Sequence, residues 1–104
     1  MALIVLVTIP KENAHSLTKK LLQKRLCACV NIIPYVNSYF WWKGKIEHEK
    51  ESLLIMKTKN AFYPKLKAMI QKHHPYDVPE IVGVKIDTIN KAYHKWLLAQ
   101  VKNG

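Results

Sequence analysis

Residues 38–46 read SYFWWKGKI, so four aromatic side chains follow one another just before a lysine-glycine turn. If this stretch is a strand, Tyr39 and Trp41 point to one side of it and Phe40 and Trp42 to the other. A short ribbon with large apolar rings on both sides needs cover on both sides. What supplies that cover decides how the chain folds and assembles.

Two arrangements can cover the ribbon. Each large aromatic side chain buries about 150–250 Å², so hiding two of them is worth several kcal/mol. An exposed apolar patch of this kind marks an interface. We therefore expect the ribbon to be an arm that lies on a neighbouring subunit of a closed, symmetric assembly. The alternative is that a local bulge and the C-terminal helix, with Trp96, cover the second side within one chain.

The spacing of apolar side chains predicts four strands and three helices. Pro34 is expected to bend or bulge the second strand, because proline cannot donate to a sheet ladder. Asn60 is expected to cap the second helix, and Pro64 falls in its first turn, where the missing N–H costs least. The predicted strands are 2–9, 27–42, 46–59 and 81–86, and the predicted helices are 11–26, 61–73 and 90–101.

The predicted order is β-α-β-β-α-β with an extra helix at the end. This order is typical of the split βαβ, or ferredoxin-like, arrangement. It predicts an α+β protein with an antiparallel sheet, helices on one face and a long β-hairpin arm. The length predicts one domain over residues 1–104.

The charge is lopsided, with 17 Lys and Arg against 7 Asp and Glu and a formal net charge of +10. Such a balance favours nucleic acid or other anionic partners. The lysines are spread along the chain without a dense tract, however, which favours a solvated surface. No apolar run reaches the roughly 20 residues that a bilayer requires. The start, MALIVLVTIP, has neither a basic region nor a cleavage site. We expect a first strand in a cytoplasmic protein without a membrane partner.

The two cysteines, Cys27 and Cys29, are two residues apart on a predicted strand. Side chains at this spacing are parallel, with Cα atoms roughly 6.5 Å apart, so they do not converge to a disulfide. We expect small buried thiols. The alternative, a soft-metal site, lacks a third ligand nearby in sequence.

Among the five histidines, only His73 and His74 are adjacent. Imidazole is a common ligand for copper, zinc and nickel, but neighbouring helical residues point about 100° apart and do not chelate together. Pro75 ends the helix, so the two histidines could serve different sites. The alternatives are a solvated cation at the helix end for His73 and a hydrogen-bonded loop histidine for His74.

The chain has no Gly-rich phosphate loop, GxSxG, HExxH or CxxC motif. We therefore expect neither catalytic activity nor an organic cofactor. Lys57 follows four apolar residues, which predicts a partly buried amine paired with Glu51 or Glu80.

Four stretches resemble those of one family in the same order over the whole length. RLCACVNIIP, SYFWWKGKIEHEKESLLIMKTK, HHPYDVPEI and AYHKWL are similar to stretches of the CutA family, the divalent-cation tolerance proteins. The resemblance implies a ferredoxin-like subunit in a homotrimer similar to PII-type signalling proteins. It also implies a cytoplasmic protein linked to tolerance of copper and other divalent metals, without an established catalytic activity.

The resemblance also implies site residues. Copper-linked members carry an HHPY stretch, which corresponds here to His73 and His74 as metal ligands. Some of these members have a cysteine where this chain has Val7, so a Cys-His-His copper site is not available. The clefts between subunits of the family contain polar residues. The cleft candidates here are Trp42, Glu51, Lys57, Tyr76 and Glu80.

Two functions compete at this point. The first is a trimeric metal-response protein that binds Cu²⁺ or another divalent cation through His73, His74 or both. The second is a non-enzymatic, PII-like signalling or scaffold trimer that binds a small ligand or a protein at the clefts, by fold-level analogy. A ferredoxin-like RNA binder would stack bases on sheet aromatics, but SYFWW lacks the required glycine and basic pattern. Nucleic acid is therefore not an expected partner.

Overall fold

The computed structural model describes residues 1–102 and has the predicted order of elements. The four strands form one antiparallel sheet in the order β2-β3-β1-β4. This confirms the predicted α+β, ferredoxin-like fold. The elements are β1 (Ala2–Ile9), α1 (Lys11–Gln23), β2 (Cys29–Trp42), β3 (Lys45–Lys59), α2 (Tyr63–His73), β4 (Val82–Lys85) and α3 (Lys91–Gln100), with a 3₁₀ turn at Asn60–Phe62.

The main core lies between one face of the sheet and the helices α1 and α2. Alternate residues of β1 point into it, among them Val5 and Val7, which pair across the sheet with Met56 and Leu54. Leu17 and Leu21 of α1 and Leu66 and Ile70 of α2 close the core from the other side. The period of two in the strands and of about 3.6 in the helices therefore specifies this layer.

Helix α1 ends three residues before the predicted Leu26. Arg25 has a φ of +59°, in the left-handed region. Its N–H donates to the Leu22 carbonyl at 3.0 Å, while the Leu26 N–H donates to the Leu21 carbonyl at 3.1 Å. These two bonds form a Schellman motif, which satisfies the last carbonyls of the helix. The end of α1 is not evident from the sequence, because the left-handed residue that follows a helix is usually glycine and here it is Arg25.

The start of α2 also differs from the prediction. Asn60 does not cap an α-helix but begins the 3₁₀ turn, and its N–H donates to the Met1 carbonyl at 2.7 Å. The α-helix begins at Tyr63, with Pro64 in its first turn as predicted. At the third helix, the side chain of Asn90 accepts hydrogen bonds from the backbone N–H groups of Ala92 and Tyr93.

Helix α3 lies on the other face of the sheet, so the prediction of helices on one face is correct for α1 and α2 but wrong for α3. Its Leu97, with Val101, packs against Ala2 in a second, small core. Ala2 and Leu3 point to opposite faces of β1, so α3 covers the end of the face that α1 and α2 leave open. None of the helices within residues 1–102 is long and apolar enough to span a membrane.

Strands β2 and β3 continue as a two-stranded ribbon beyond the rest of the sheet. The pairing shifts between Ile33 and Val36, which confirms the irregularity predicted at Pro34. The last partner of β1 on β3 is Ser52, so β3 residues 45–51 pair only with β2. The ribbon closes through a two-residue turn with positive φ at Lys43 and Gly44, as type I′ hairpin turns require.

Both sides of the ribbon are exposed in the single chain. Tyr39 and Trp41 are 70% and 72% exposed, and Phe40 and Trp42 are 39% and 47% exposed. Trp96 packs beside Tyr93 on α3, with ring centroids 5.4 Å apart, and is itself 44% exposed. The single-chain alternative for covering the ribbon is therefore not what the structure shows.

Candidate functional site

His74 lies just after α2 and is tied to the end of β1. Because it precedes Pro75, the helical conformation is disfavoured, and its backbone is extended, with φ −85° and ψ 137°. Its Nδ1 accepts a hydrogen bond from the backbone N–H of Tyr76 at 3.1 Å. Its Nε2 must then carry the proton, and it donates to the Thr8 carbonyl at 2.8 Å. A carbonyl only accepts and a backbone N–H only donates, so both nitrogens of the neutral ring are engaged.

The same loop places Tyr76 against a buried carboxylate. The Tyr76 hydroxyl donates to Oε2 of Glu51 at 2.9 Å, and Glu51 is only 4% exposed. The Tyr76 and His74 rings are 4.8 Å apart. Burial, followed by the hydrogen bond to Glu51, raises the pKa of Tyr76 well above its usual value. The phenol is therefore held neutral, as a donor to Glu51.

Further carboxylates surround the Tyr76 phenol. The negative charges of Glu49 and Glu12 contribute to its raised pKa in addition to that of Glu51. Three of the seven acidic residues of the chain thus lie around one hydroxyl group. We call these three glutamates and the Tyr76 hydroxyl the acidic corner. It is locally acidic although the chain has a net charge of +10.

A surface depression of about 420 Å³ lies on the Glu12 side of this corner. Its volume falls in the usual range of small-molecule sites, about 300–1,000 Å³. At its edge, Lys11 Nζ donates to the Tyr35 hydroxyl at 2.6 Å, and this bond lowers the pKa of Tyr35. The depression is lined by Lys11, Glu12, His15, Ile32, Pro34 and Ser52.

Lys57 lies elsewhere, on the open face of the sheet. It is half-buried as predicted, but its amine does not pair with Glu51, which contacts Tyr76 instead, and no contact with Glu80 is seen among the described residues. The amine of Lys57 donates to Oδ1 of Asn31 and lies 4.0 Å from Sγ of Cys29. Six residues of extended strand separate Lys57 from Glu51, which is about 20 Å.

Lys57 and Cys29 form a cluster with Asn31 and Tyr93, and these last two residues were not predicted from the sequence. Asn31 is the polar residue two positions after Cys29 on an apolar strand, and this spacing puts both side chains on one face. Tyr93 reaches the cluster from α3, where its hydroxyl contacts Cys29. Burial, followed by the charge and hydrogen bond of Cys29, raises the pKa of Tyr93. Alternation along β2 could have revealed Asn31, but nothing in the sequence locates Tyr93.

The two cysteines are free thiols with different surroundings. Cys27 belongs to the main core, where burial raises its pKa to about 12. Cys29 is half-buried beside Lys57. The expectation of a buried thiol holds fully for Cys27 only.

The five cleft candidates are dispersed over one chain. Glu51 and Tyr76 contact each other, whereas Lys57 belongs to the Asn31 cluster. Trp42 lies beside the hairpin turn, paired with Lys45, and Glu80 is exposed in the loop before β4. A cleft that unites these residues requires more than one subunit.

His73 differs from His74 in being half-buried at the end of α2. Partial burial and the neighbouring charges of Lys20 and Lys72 lower the pKa of His73. Its imidazole is therefore neutral at pH 7, but two ammonium groups oppose a cation beside it. Within residues 1–102, no group of three or more His, Cys, Asp or Glu side chains is close enough to hold a metal ion.

The family model and the relatives that match this chain carry the same description. Residues 3–100 match the family described as "CutA1 divalent ion tolerance protein". The "Divalent-cation tolerance protein CutA" of Pyrococcus horikoshii is 42% identical over 101 residues, which are 96% of this chain and 98% of that protein.

Solved structures of similar proteins have the same fold as this chain. The divalent cation tolerance protein from Thermus thermophilus has a TM-score of 0.95 at 41% identity, covering 98% of this chain and all of that one. A protein from Archaeoglobus fulgidus, described as a periplasmic divalent cation tolerance protein CutA, has a TM-score of 0.94 at 34% identity over 98% of this chain and 100% of that one.

We expect Tyr76→Phe to destabilise the protein, because it removes only the hydroxyl that hydrogen-bonds the buried Glu51 carboxylate. The loss should be about 1–3 kcal/mol of unfolding free energy, measured by urea unfolding at a fixed protein concentration. Ser16→Ala, which removes an exposed hydroxyl from α1, is the control and should change it by less than about 0.5 kcal/mol. Equal losses in the two variants would show that the Tyr76–Glu51 bond contributes nothing specific.

Proposed function

The chain belongs to the CutA family of divalent-cation tolerance proteins, and on this premise we propose that it acts as a cytoplasmic homotrimer that binds copper or another divalent cation without being an enzyme. The observation that carries the proposal is the exposed aromatic ribbon. A cation response that depends on contacts between subunits requires a surface that a single chain leaves uncovered. The ribbon is such a surface.

The ribbon supports assembly on energetic grounds. A two-stranded hairpin alone is marginally stable in water, yet here it carries Tyr39, Trp41 and Ile46 with more than 60% of each side chain exposed. On the opposite side, that of Phe40 and Trp42, Leu53 and Ile55 of β3 extend the apolar surface onto the open face of the sheet, where they are only half-buried. Both sides of the ribbon would be covered by neighbouring subunits, and a closed trimer covers them in all three copies.

The geometry of the histidines favours His73 over His74 as the metal ligand. Both nitrogens of His74 are used by Thr8 and Tyr76, so a metal could bind only by breaking one of these bonds. His73 is half-buried, and its lowered pKa favours the neutral imidazole that a metal ion requires. Because Lys20 and Lys72 repel a divalent ion there, we expect weak binding by a single subunit.

Two features fit a non-enzymatic protein of a reducing compartment. Cys27 and Cys29 are free thiols, as is usual for cytoplasmic proteins. The raised pKa of Tyr76 makes this phenol a poor base and a poor nucleophile at neutral pH. The Glu51–Tyr76 pair therefore has the properties of a binding or structural contact.

A trimer should be evident from its solution mass. We expect light scattering to give three times the 12.1 kDa of one chain, and Trp41→Lys to lower the mass because a charge would enter the buried contact. Leu22→Lys, also at an exposed apolar position but on α1, should leave the mass unchanged. A wild-type mass of one chain at micromolar concentration would refute the assembly.

Metal binding should depend on His73. Titration calorimetry with Cu²⁺ should give heat with the wild type and with His15→Ala, a control at an exposed histidine of α1, but not with His73→Ala. His73 supplies an available imidazole lone pair, whereas His15 lies on α1 outside the proposed site. Equal heats in all three proteins would rule out His73 as a ligand.

A second candidate function is supported by the 420 Å³ depression beside the acidic corner. A small ligand there could link Lys11 and His15 to the Glu51–Tyr76 pair, as expected for a signalling or scaffold trimer. A metabolite panel should then raise the melting temperature of the wild type but not that of Lys11→Ala. Lys45→Ala, on the ribbon turn, is the control. If no compound shifts the wild type, or if Lys11→Ala responds equally, this candidate fails.

A further inference from the structure

Positive charge is concentrated on one layer of the molecule. Residues 10–26 and 60–74, which contain α1 and α2, hold eight of the 17 basic residues but only one of the seven acidic residues, Glu12. The other acidic residues lie on the ribbon and in the loops around β4. This layer therefore carries a net charge of +7 out of the +10 of the chain, although nine of the basic residues lie elsewhere.

Four of these lysines form what we call the helical basic surface: Lys20, Lys24, Lys65 and Lys72. All four are exposed. Lys20 and Lys24 are one turn apart on α1, and Lys65 and Lys72 are two turns apart on α2, so each pair shares a side of its helix. The two helices pack side by side, and the charges of Lys20 on one and Lys72 on the other both act to lower the pKa of His73.

The composition of this surface indicates what could bind there. Leu22 is the only large apolar side chain among the exposed ones of residues 10–26 and 60–74. Single-stranded nucleic acids are held by stacking on aromatic side chains, and amphipathic helices bind membranes through large apolar residues. The helical basic surface has no exposed ring, because Phe62 beside Lys65 is half-buried, and Leu22 alone is too little apolar surface to insert into a membrane. Exposed lysines on two neighbouring helices are suited to the phosphates of a duplex, which are contacted without any reading of bases.

We propose that the helical basic surface docks the phosphate backbone of a double-stranded nucleic acid, independently of its sequence. The ribbon aromatics, which lack the pattern of an RNA-binding motif, lie on a different surface from these lysines. The proposal does not rest on metal binding. Assembly would present three copies of the surface and raise the apparent affinity, but each copy is complete within one chain.

The test compares two triple variants of the full chain with equal charge loss. Lys20→Gln, Lys24→Gln and Lys72→Gln together remove the surface, whereas Lys91→Gln, Lys95→Gln and Lys102→Gln remove three exposed lysines of α3 and the segment after it. Binding of a fluorescent DNA duplex of about 20 base pairs is followed by anisotropy over a series of salt concentrations, from about 50 mM upwards.

The wild type should bind the duplex with a steep salt dependence. Loss of three phosphate contacts should flatten the slope of log K against log salt by roughly 2–3 units and weaken binding at low salt more than tenfold. The α3 variant should keep most of the affinity and the slope. Melting curves verify that both variants fold, and the double variant Lys20→Gln, Lys72→Gln replaces the first triple variant if that one does not.

Several results would overturn the proposal. Equal weakening by the two triple variants would mean that net charge alone attracts the duplex. If the wild type does not bind the duplex at low salt, the helical basic surface does not dock a double-stranded nucleic acid. Tighter binding of single strands, or of phosphatidylserine vesicles, at the same lysines would assign the surface to a different ligand.

Discussion

The structure depends on a ribbon that has no third strand to support it. Beyond Ser52, β3 pairs only with β2, and the indoles of Trp41 and Trp42 are exposed on its two sides. Hydrogen bonds between two strands do not stabilise such a hairpin in water without packing against a further layer. The single chain therefore leaves the ribbon uncovered, which is the basis of the proposed trimer, and it also leaves the cleft candidates far apart. Trp42 and Glu51 belong to one hairpin but lie at opposite ends of the unsupported ribbon.

A second constraint acts at the end of α2. Pro75 holds His74 in an extended conformation, which directs its ring to the Thr8 carbonyl and lets Tyr76 reach Glu51. One short loop thus connects the end of β1 to Glu51, the point at which β3 leaves β1 and continues into the ribbon. The same contacts remove His74 from the potential metal ligands of the single chain, because a ring that donates through one nitrogen and accepts through the other has no free lone pair. Structural use of a histidine here competes directly with its use in metal binding.

The sequence predicts the elements much better than it predicts the contacts. Alternation and proline placement specify the strands, the irregularity at Pro34 and the first turn of α2. They do not reveal that Arg25 takes the left-handed position that ends α1, because this depends on tertiary packing around Leu26. The candidate site is harder to predict, because its hydrogen bonds join segments that are far apart in the sequence. His74 reaches Thr8 across 66 residues, and the partner of Lys57 depends on the register of β2 against β3.

The two proposed binding events are linked by charge. His73 lies between Lys20 and Lys72, so a divalent cation bound there adds positive charge to a surface that already repels it. A docked phosphate backbone supplies the opposite charge and lowers that repulsion. Each ligand should therefore favour the other, and because coupling between sites is reciprocal, the factor must be the same in both directions. Competition between metal and duplex would instead mean that His73 itself contacts the phosphates.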